Sequence, residues 1–396
     1  MFVEEIDYKI EGDTIRFNAK FNGPLTDEII SVCRNPNIKK IIFHYFFNNS
    51  LDPLGVLENI EEINITKFSL GCIKHLNLSF MQSEDTSAFS ESKMSPIRGQ
   101  FNQLTTVWPK NLKYLNIESG SFQKPLINLP NTLEKLEINF LVDYRENQDR
   151  FFKLKYEEPL RNLPESLKIL ILRNYGGNLD KLPDQLHTLH LYEYEEKITK
   201  LPDSLKMFRI EPDFADISEL PDGLEILKLF VNLDEPLEVL PSNLKVLKTY
   251  GENIILDNLP QNLEKLAIMG YNNGSLDNLP NSLISLNLLN LQSDNEFNFD
   301  FLPMNLKVLY LPSDCNKNKF DNLPSSIEEL YIGKYFNDIL NNLPPNLKKL
   351  HFTPKNRMTF PIQHLPKSLE TISISKSYPH LDQLREIFKG EIIIVY

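Results

Sequence analysis

Proline and apolar residues recur along most of this chain in one fixed pattern. A proline, almost always preceded by Leu, is followed by apolar residues at its third, sixth and eighth positions, and the unit returns about every 20 residues. The 39 positions that this template defines hold 38 apolar residues, with Thr249 as the exception. A fixed period of this length predicts stacked structural repeats. The units begin at Pro109, Pro130, Pro164, Pro183, Pro202, Pro221, Pro241, Pro260, Pro280, Pro303, Pro324, Pro344 and Pro366.

Each unit predicts one short strand followed by an irregular return. The sixth and eighth residues share one face of a half-buried strand. Proline cannot donate to a strand ladder, so we place it in the turn before the strand. Equivalent strands would pair side by side, and units of 19 or 20 residues leave no room for a full helix opposite them. The pattern predicts an α/β solenoid with a parallel concave β-sheet, a mostly irregular convex side and about 13 regular repeats plus degenerate N-terminal ones.

Residues 1–80 are predicted to form an N-terminal cap. Two alternating segments joined by Glu11-Gly12-Asp13 indicate a hairpin. The segment from Thr26 to Arg34 indicates a short helix with Thr26 as its N-cap. Strands that keep the apolar spacing without the proline indicate degenerate repeats at residues 38–43, 60–65 and 73–78.

The rest of the chain is predicted to contain a loop, the solenoid and a second cap. Residues 81–106 are polar and rich in serine at their start, and they indicate a loop. The regular solenoid is expected over residues 107–376, with a projecting insertion at 139–158. Residues 377–396 predict a C-terminal cap, a helix that begins at Leu381 followed by an apolar strand.

Composition and charge narrow the class of protein. The 396 residues are 41% apolar and 24% charged, which is ordinary for a globular protein. The 42 basic and 54 acidic side chains give a net charge of −12, whereas proteins that bind nucleic acid or anionic membranes are usually basic. Three scattered cysteines and a start without a secretory signal indicate a reduced, intracellular chain. We therefore expect no nucleic-acid partner and no membrane contact.

The Leu-Pro-x-x-Leu-x-x-Leu-x-Leu units resemble leucine-rich repeats. Within that class the chain is similar to two short-repeat branches, the repeats of bacterial effectors and the FNIP repeats of slime moulds and giant amoeba viruses. The likeness to FNIP repeats is carried by the segment from Leu323 to Phe352. The resemblance extends from about Val107 to Ile374 and implies a leucine-rich-repeat horseshoe, but it says little about activity.

Two columns of the repeat depart from the usual leucine-rich pattern. The position that most such repeats fill with Asn holds Tyr175, Tyr194 and Tyr271 in three units and Asn in only one of those compared. Asn recurs instead two residues before proline, where we expect it to satisfy backbone groups of the turn. The residues at that position are Asn128, Asn162, Asn258, Asn278, Asn322 and Asn342.

The sequence lacks the motifs of common enzymes and metal centres. It contains no Cys-x-x-Cys, no Walker A sequence and no Gly-x-Ser-x-Gly. His187 and His190 form a His-x-x-His, which we interpret as two surface histidines. Effectors with similar repeats carry a ubiquitin-ligase domain with a Cys-x-Asp nucleophile, and this motif is not present here. We expect a protein that is not an enzyme, with no catalytic residue, no metal and no cofactor.

The fifth, seventh and ninth positions after each proline should project from the sheet toward the hollow of the solenoid. In four successive units the seventh position is His, Arg, Lys and Lys. Like charges on strands about 4.8 Å apart repel unless something compensates them. Carboxylates or phosphates of a partner could do so, and so could the adjacent Glu193 and Glu211. The candidate partner-binding residues are Arg173, His190, Tyr192, Arg209, Lys228, Phe230, Lys248 and Tyr250.

These features predict a non-enzymatic protein-protein interaction module that binds through the concave surface of its repeats. The expected partner is a protein of unknown identity that is acidic or phosphorylated. The chain itself is expected to be a monomer in the cytoplasm, with a host cytoplasm or a virion as the location if the chain is viral. The alternative is a structural component of a virus particle or assembly, which would need many copies per particle.

Overall fold

The computed structural model divides the chain into two compact units, Met1–Ser204 and Leu205–Tyr396. Within each unit, a parallel sheet receives one strand from each repeat, and the core lies on one face of that sheet. The residues that the structure describes are 8–18, 21–44, 47–66, 101–120, 122–140, 155–211, 214–215, 217, 219–230, 232–233, 237, 239–250, 258–271, 275–292, 299–313, 322–354 and 356–395.

The first unit begins with an antiparallel hairpin of strands β1 and β2. Strands β2 to β8 then pair in chain order, each parallel to the next. Helix α1 lies between β2 and β3, and the Thr26 hydroxyl accepts a hydrogen bond from the Ile29 N–H as its N-cap. The elements are β1 Tyr8–Glu11, β2 Thr14–Phe17, α1 Asp27–Cys33, β3 Lys40–His44, a 3₁₀ helix Asp52–Val56, β4 Glu62–Thr66, β5 Tyr114–Glu118, β6 Lys135–Asn139, β7 Ile169–Arg173 and β8 Thr188–Tyr192.

The second unit repeats the same construction with shorter strands toward its middle. Its main strands pair in parallel, and two short additional pairs lie beside them, β10 with β12 and β14 with β16. The elements are β9 Met207–Glu211, β10 Phe214–Ala215, β11 Ile226–Leu229, β12 Asn232–Leu233, β13 Val246–Tyr250, β14 Lys265–Tyr271, β15 Ser285–Asn287, β16 Leu291–Gln292, β17 Val308–Tyr310, β18 Glu329–Ile332, β19 Lys349–Phe352, β20 Thr371–Ser375, α2 Leu381–Ile387 and β21 Glu391–Val395.

The apolar template of the sequence forms the core of both units. All 39 of its side chains are buried, none more than 8% exposed, and this includes the exception Thr249. The proline begins a turn in which its carbonyl accepts from the N–H three residues later, as between Pro324 and Ile327 at 3.2 Å. The predicted fold class, a leucine-rich-repeat solenoid with a parallel sheet, is confirmed.

Neighbouring repeats are also joined by polar side chains two residues after the proline. Ser282 donates to the Leu263 carbonyl of the preceding repeat at 2.6 Å, and Asn262 donates to the Ser242 carbonyl at 3.1 Å. These bonds satisfy carbonyls of the turn, the task that leucine-rich repeats usually give to another column. The equivalent donors are Asn111, Thr132, Ser166, Ser204, Asn243, Asn305, Ser326, Asn346 and Ser368.

Asn two residues before the proline has a conformational role in addition to the hydrogen-bonding role that we predicted. Asn128, Asn162 and Asn342 adopt left-handed backbone with φ of 54°, 62° and 57°. Asn tolerates this region better than other residues that carry a side chain. Its amide group also bonds, as when Asn128 donates to the Thr106 carbonyl at 3.1 Å. In these three repeats the Asn therefore marks the point where the chain reverses into the turn.

A stack of aromatic rings runs through the core of the first unit. Phe101 and Phe122 lie 5.5 Å apart, Phe122 and Tyr156 5.3 Å, and Tyr175 and Tyr194 6.2 Å between ring centroids. All of these rings are buried. Tyr175 and Tyr194 thus replace the usual Asn column with ring packing. The stack consists of Phe17, Phe21, Phe43, Phe47, Phe101, Phe122, Tyr156, Tyr175 and Tyr194.

Some sequence-based expectations fall outside the described residues. The third degenerate strand, 73–78, lies there, as do most of the predicted loop 81–106 and of the insertion 139–158. The boundaries proposed for the two caps stay predictions.

Candidate functional site

The seventh-position cations of the second unit lie next to one another on the solvent-facing side of the sheet. Arg209 on β9 is opposite Lys228 on β11, and Lys228 is opposite Lys248 on β13. Each is flanked along its strand by buried residues that point into the core. The identical spacing of the repeats therefore brings the three predicted cations together, in one column about 4.8 Å per step.

Arg209 is compensated within the protein. Its guanidinium forms a hydrogen-bonded ion pair with Glu211, two residues further along β9. Its guanidinium carbon also lies 5.0 Å from the centroid of the Phe230 ring. The neutralisation that the sequence offered as an alternative therefore applies to Arg209.

Lys228 and Lys248 differ from Arg209 in their surroundings. Both ammonium groups are partly buried, and no carboxylate among the described residues lies within ion-pair distance of either. Burial lowers the pKa of Lys228, and the charges of Lys248 and Arg209 lower it further while Glu211 opposes them. Burial also lowers the pKa of Lys248, as do the charges of Arg209 and Lys265. The surroundings of Lys228 and Lys248 therefore make the charged form of each amine less favourable than it is in water.

Apolar side chains border the cation column on both sides. Met207, Ile226 and Val246 occupy the fifth positions and are partly exposed. Phe230 and Tyr250 occupy the ninth positions, with Tyr250 44% exposed. Such borders reduce the hydration of the ammonium groups and strengthen their attraction for an anion.

Gly270 provides the space in which the Tyr250 ring lies. A Cβ atom at this position would come within 2.7 Å of the ring carbon Cζ of Tyr250. Gly270 also has a φ of +72°, a conformation that other residues rarely adopt. Both observations explain why glycine stands beside Tyr250.

Lysines just outside the sheet show the opposite behaviour. Glu225 accepts a hydrogen bond from Lys245 at 2.9 Å and lies 3.7 Å from Lys206. The hydrogen bond to Glu225 raises the pKa of Lys245, whereas the pKa of Lys248, three residues later, is lowered. The lysines at the fourth position of these repeats are therefore paired, whereas Lys228 and Lys248 at the seventh position are not paired with any carboxylate in the described part of the chain.

A second group of side chains occupies the same column further along the unit. The rings of Tyr310 and Tyr331 stack with centroids 3.9 Å apart, and Tyr331 stacks on His351 at 4.4 Å. The His351 Nδ1 lies 2.9 Å from the Ser373 hydroxyl, which fixes the imidazole orientation. All three rings are partly exposed on the face opposite the core. We call this group the ring ladder.

Comparison with known proteins agrees with the repeat pattern. The FNIP repeat family model matches residues 294–335 and 316–354. The resemblance to FNIP repeats that the sequence indicated is thereby confirmed for this part of the chain, which includes all three rings of the ladder. No match is found among curated proteins.

Two solved structures are similar to this chain at low sequence identity. CroV588 of the giant virus CroV, described as a circular leucine-rich-repeat protein, is 20% identical with a TM-score of 0.48, over 98% of this chain and 70% of its own. YopM from Yersinia enterocolitica WA-314 is 20% identical with a TM-score of 0.39, over 85% of this chain and 73% of its own.

The remaining candidate residues belong to the first unit. The Arg173 guanidinium carbon lies 4.3 Å from the centroid of the Tyr192 ring, and His190 contacts the same ring edge-on at 6.3 Å. His187 is exposed and precedes β8. His190 is partly exposed and lies between Leu189 and Leu191, which enter the core. Arg173 and His190 form a compact cluster around Tyr192. A continuous stripe from His190 to Lys248 stays a prediction.

Sequence reasoning missed two parts of the second unit's face. Lys265 was overlooked because it occupies a fifth position, although its charge acts on Lys248. His351 completes the ring ladder and would have been found by reading the seventh position in every repeat. Within the described residues, no group of three or more His, Cys, Asp or Glu side chains is arranged to hold a metal ion. No helix in that part of the chain is long and apolar enough to span a bilayer.

Proposed function

We propose that this chain is a non-enzymatic protein-interaction module that binds an acidic or phosphorylated protein on the sheet face of its second unit. The contact residues are Arg209, Lys228 and Lys248, with Phe230 and Tyr250 beside them. The observation that carries the proposal is the pairing of Lys228 with Lys248 on adjacent strands without a carboxylate partner among the described residues. Burial and the neighbouring cations make the two ammonium groups less favourable, so an anion that binds beside them stabilises the folded protein.

The net charge of the chain opposes a general attraction for anions. That charge is −12, so a polyanion approaching any other surface meets repulsion on average. Recognition then depends on the local field of the sheet face. Arg173, His190 and Tyr192 in the first unit form a separate candidate contact that supports the same function.

A pair of double variants tests the site with equal changes of net charge. Lys228→Gln/Lys248→Gln removes the two cations without carboxylate partners, and Lys206→Gln/Lys245→Gln removes two that pair with Glu225. Tagged proteins are used in pull-downs from a lysate of the native cell and the bound proteins are quantified by mass spectrometry. Circular dichroism verifies that both variants fold.

The expected result is a partner recovered with wild type and with the control, and lost with the site variant. The isolated partner should then bind the purified full chain with an affinity that falls as salt rises. Identical recoveries from all three proteins would contradict the proposed site. Recovery of no specific protein at all would contradict the interaction role.

A further inference from the structure

We infer that the partner binds as an extended acidic segment that lies across the strands of the second unit, with an apolar ring at one end packed on the ring ladder. This inference rests on the proposed function and specifies the shape of the ligand. It follows from two sets of side chains that occupy one column of the sheet, the cations at one end and the rings at the other.

The two sets lie on a single line. The seventh positions pair strand by strand from Arg209 through Lys228 and Lys248 to Ala267. The line continues through Asn287 to the ring ladder residues Tyr310, Tyr331 and His351. Seven steps of about 4.8 Å place Arg209 and His351 roughly 34 Å apart. A ligand that contacts both sets must follow this line.

The cationic end matches the spacing of an extended chain. Arg209, Lys228, Lys248 and Lys265 stand on four consecutive paired strands, which cover about 14 Å. Side chains on one face of an extended segment repeat every two residues, or about 6.7 Å. Three carboxylates at alternate positions therefore cover about 13 Å, which spans the three cations of the column and reaches the strand of Lys265, whose fifth position lies about 6.7 Å to one side of the line. The described strand positions of this region supply four cations against the single carboxylate of Glu211.

The middle of the line leaves room for a chain to pass. Ala267 and Asn287 have shorter side chains than the Lys248 and Tyr310 that flank them. The Ala267 side chain is only 8% exposed. A segment in contact with Lys248 therefore continues toward Tyr310 without meeting a large side chain. Two strand steps separate Ala267 from Tyr310, or about 10 Å, which an extended chain crosses in about three residues.

The ring ladder is a rigid apolar end point. Tyr331 is stacked on both sides, and its hydroxyl donates to Glu329 at 3.3 Å. Glu329 is in turn bonded to Lys349 at 2.6 Å. Rings held in this way lose little conformational freedom when a ligand packs on them. An aromatic side chain of the segment therefore gains affinity from such a contact at little entropic cost.

A narrow line favours an extended segment over a folded domain. The borders formed by Met207, Ile226 and Val246 on one side and by Phe230 and Tyr250 on the other are apolar. They would pack against the methylene groups of acidic side chains, and the only charged residues that the strands β9, β11, β13 and β14 add beside the column are Lys265 at one end and Glu211 at the other. The complementary features thus run in one dimension, as they do in a peptide.

A peptide-display selection on the full chain reads the motif directly. Random peptides of about 14 residues are selected in parallel on wild type, on Lys228→Gln/Lys248→Gln and on Tyr310→Ser/Tyr331→Ser. If the serine variant fails to fold by circular dichroism, His351→Ser replaces it because that change removes only the end of the ladder. Wild type should enrich acidic residues at alternate positions with a ring three or four residues away. The lysine variant should lose the acids, and the serine variant should lose the ring and keep the acids.

A designed peptide then measures how much its aromatic ring contributes to affinity. Fluorescein-labelled Asp-Ser-Asp-Ser-Asp-Ser-Ser-Trp should bind wild type about 2- to 10-fold more tightly than the same peptide with Ser in place of Trp. The two peptides should bind the serine variant, Tyr310→Ser/Tyr331→Ser, equally. Equal binding to wild type as well would overturn the inference while the acidic site of the proposed function stands. Selection of peptides without acidic residues would overturn both. A protein partner that requires Lys228 and Lys248 while no peptide is selected would overturn the extended segment alone.

Discussion

In the first unit Lys40 lies 2.5 Å from Glu62 on the adjacent strand, whereas in the second unit Lys228 lies opposite Lys248. The contrast is confined to the region of Lys228 and Lys248, because Glu329 and Lys349 on adjacent strands of the second unit lie 2.6 Å apart. Lys135 and Glu137 form an ion pair at 3.2 Å in the first unit, and Lys248 in the second is followed by Ala267 on the next strand. The repeat is the same in both units, so the sheet face can be neutral or cationic without any change of backbone.

The units also differ in where they place stacked rings. The first unit buries its stack, with Phe101 and Phe122 no more than 2% exposed. The second unit stacks Tyr310, Tyr331 and His351 on the partly exposed face of its sheet. Rings inside the core contribute to stability through the area that they bury. Rings on the open face contribute less to stability and are available to a ligand.

The charges on the two sheet faces have different consequences for stability and for ligand binding. A face whose charges are paired needs nothing from outside, whereas adjacent like charges reduce the free energy of unfolding. The adjacent cations of the second unit therefore lower its stability slightly, and they form a surface that can bind an anion. This interpretation predicts that substitutions on the two faces have opposite effects.

The largest difference is expected between a buried and an exposed ring. Phe122→Ala removes a side chain that is 2% exposed and lies between Phe101 and Tyr156, and it should cost about 3–5 kcal/mol of unfolding free energy. Tyr331→Ala on the ring ladder should cost roughly 0.5–1.5 kcal/mol. Urea denaturation followed by circular dichroism measures both. Equal losses would show that the ladder is part of the core and would weaken the comparison.

The next largest effect concerns the single polar residue of the template. Thr249 is fully buried, and its hydroxyl has no hydrogen-bond partner among the described residues. Thr249→Val keeps the shape and removes the unsatisfied oxygen, so it should raise the unfolding free energy by roughly 1–3 kcal/mol. Thr132→Val is the control, because the Thr132 hydroxyl lies 2.7 and 3.0 Å from two carbonyl oxygens that can accept its proton, and it should destabilise. A loss of stability in Thr249→Val would mean that its hydroxyl has a partner.

The core could be predicted from the sequence because burial repeats in fixed columns. Each template position points into the same layer of the solenoid, so one rule covers all 39 residues. The buried ring stack could not be predicted in this way. Phe122 and Tyr175 stand at different distances from their prolines, since the intervening segments differ in length. Stacking there depends on where each segment ends in space.

The site was partly predictable for the same reason. Fixed spacing along the sequence is enough to place Arg209, Lys228 and Lys248 in one column, and their strands pair in that register. Which cation finds a carboxylate depends on side-chain conformation, and Glu211 bonds Arg209 on its own strand. Columns of the repeat can therefore be predicted from the sequence, whereas pairing within and between columns requires the side-chain geometry.

Lysine substitutions on the two faces should have small effects of opposite sign. Lys228→Met/Lys248→Met relieves adjacent like charges in the second unit and should raise the unfolding free energy by roughly 0.2–1 kcal/mol. Lys40→Met breaks the ion pair with Glu62 in the first unit and should lower it by a similar amount. Chemical denaturation at low salt measures the difference, which should shrink at high salt. Stabilisation by Lys40→Met would contradict the view that the first face is neutralised internally.

The smallest effect is the pH dependence of these differences. The pKa values of Lys228 and Lys248 lie below the ordinary 10.5 in the folded protein, so the unfolded chain binds more protons and stability rises as pH increases through that interval. The advantage of Lys228→Met/Lys248→Met at about pH 8 should therefore decline before pH 10.5 is reached. Lys245 is the control, because its pKa is raised, and the cost of Lys245→Met should persist until the pH exceeds 10.5. Melting temperatures of wild type and variants, compared at each pH, cancel the titrations that they share. An advantage that stays constant to pH 10.5 would show that the gain from the double variant comes from apolar burial and that repulsion between the two ammonium groups contributes little.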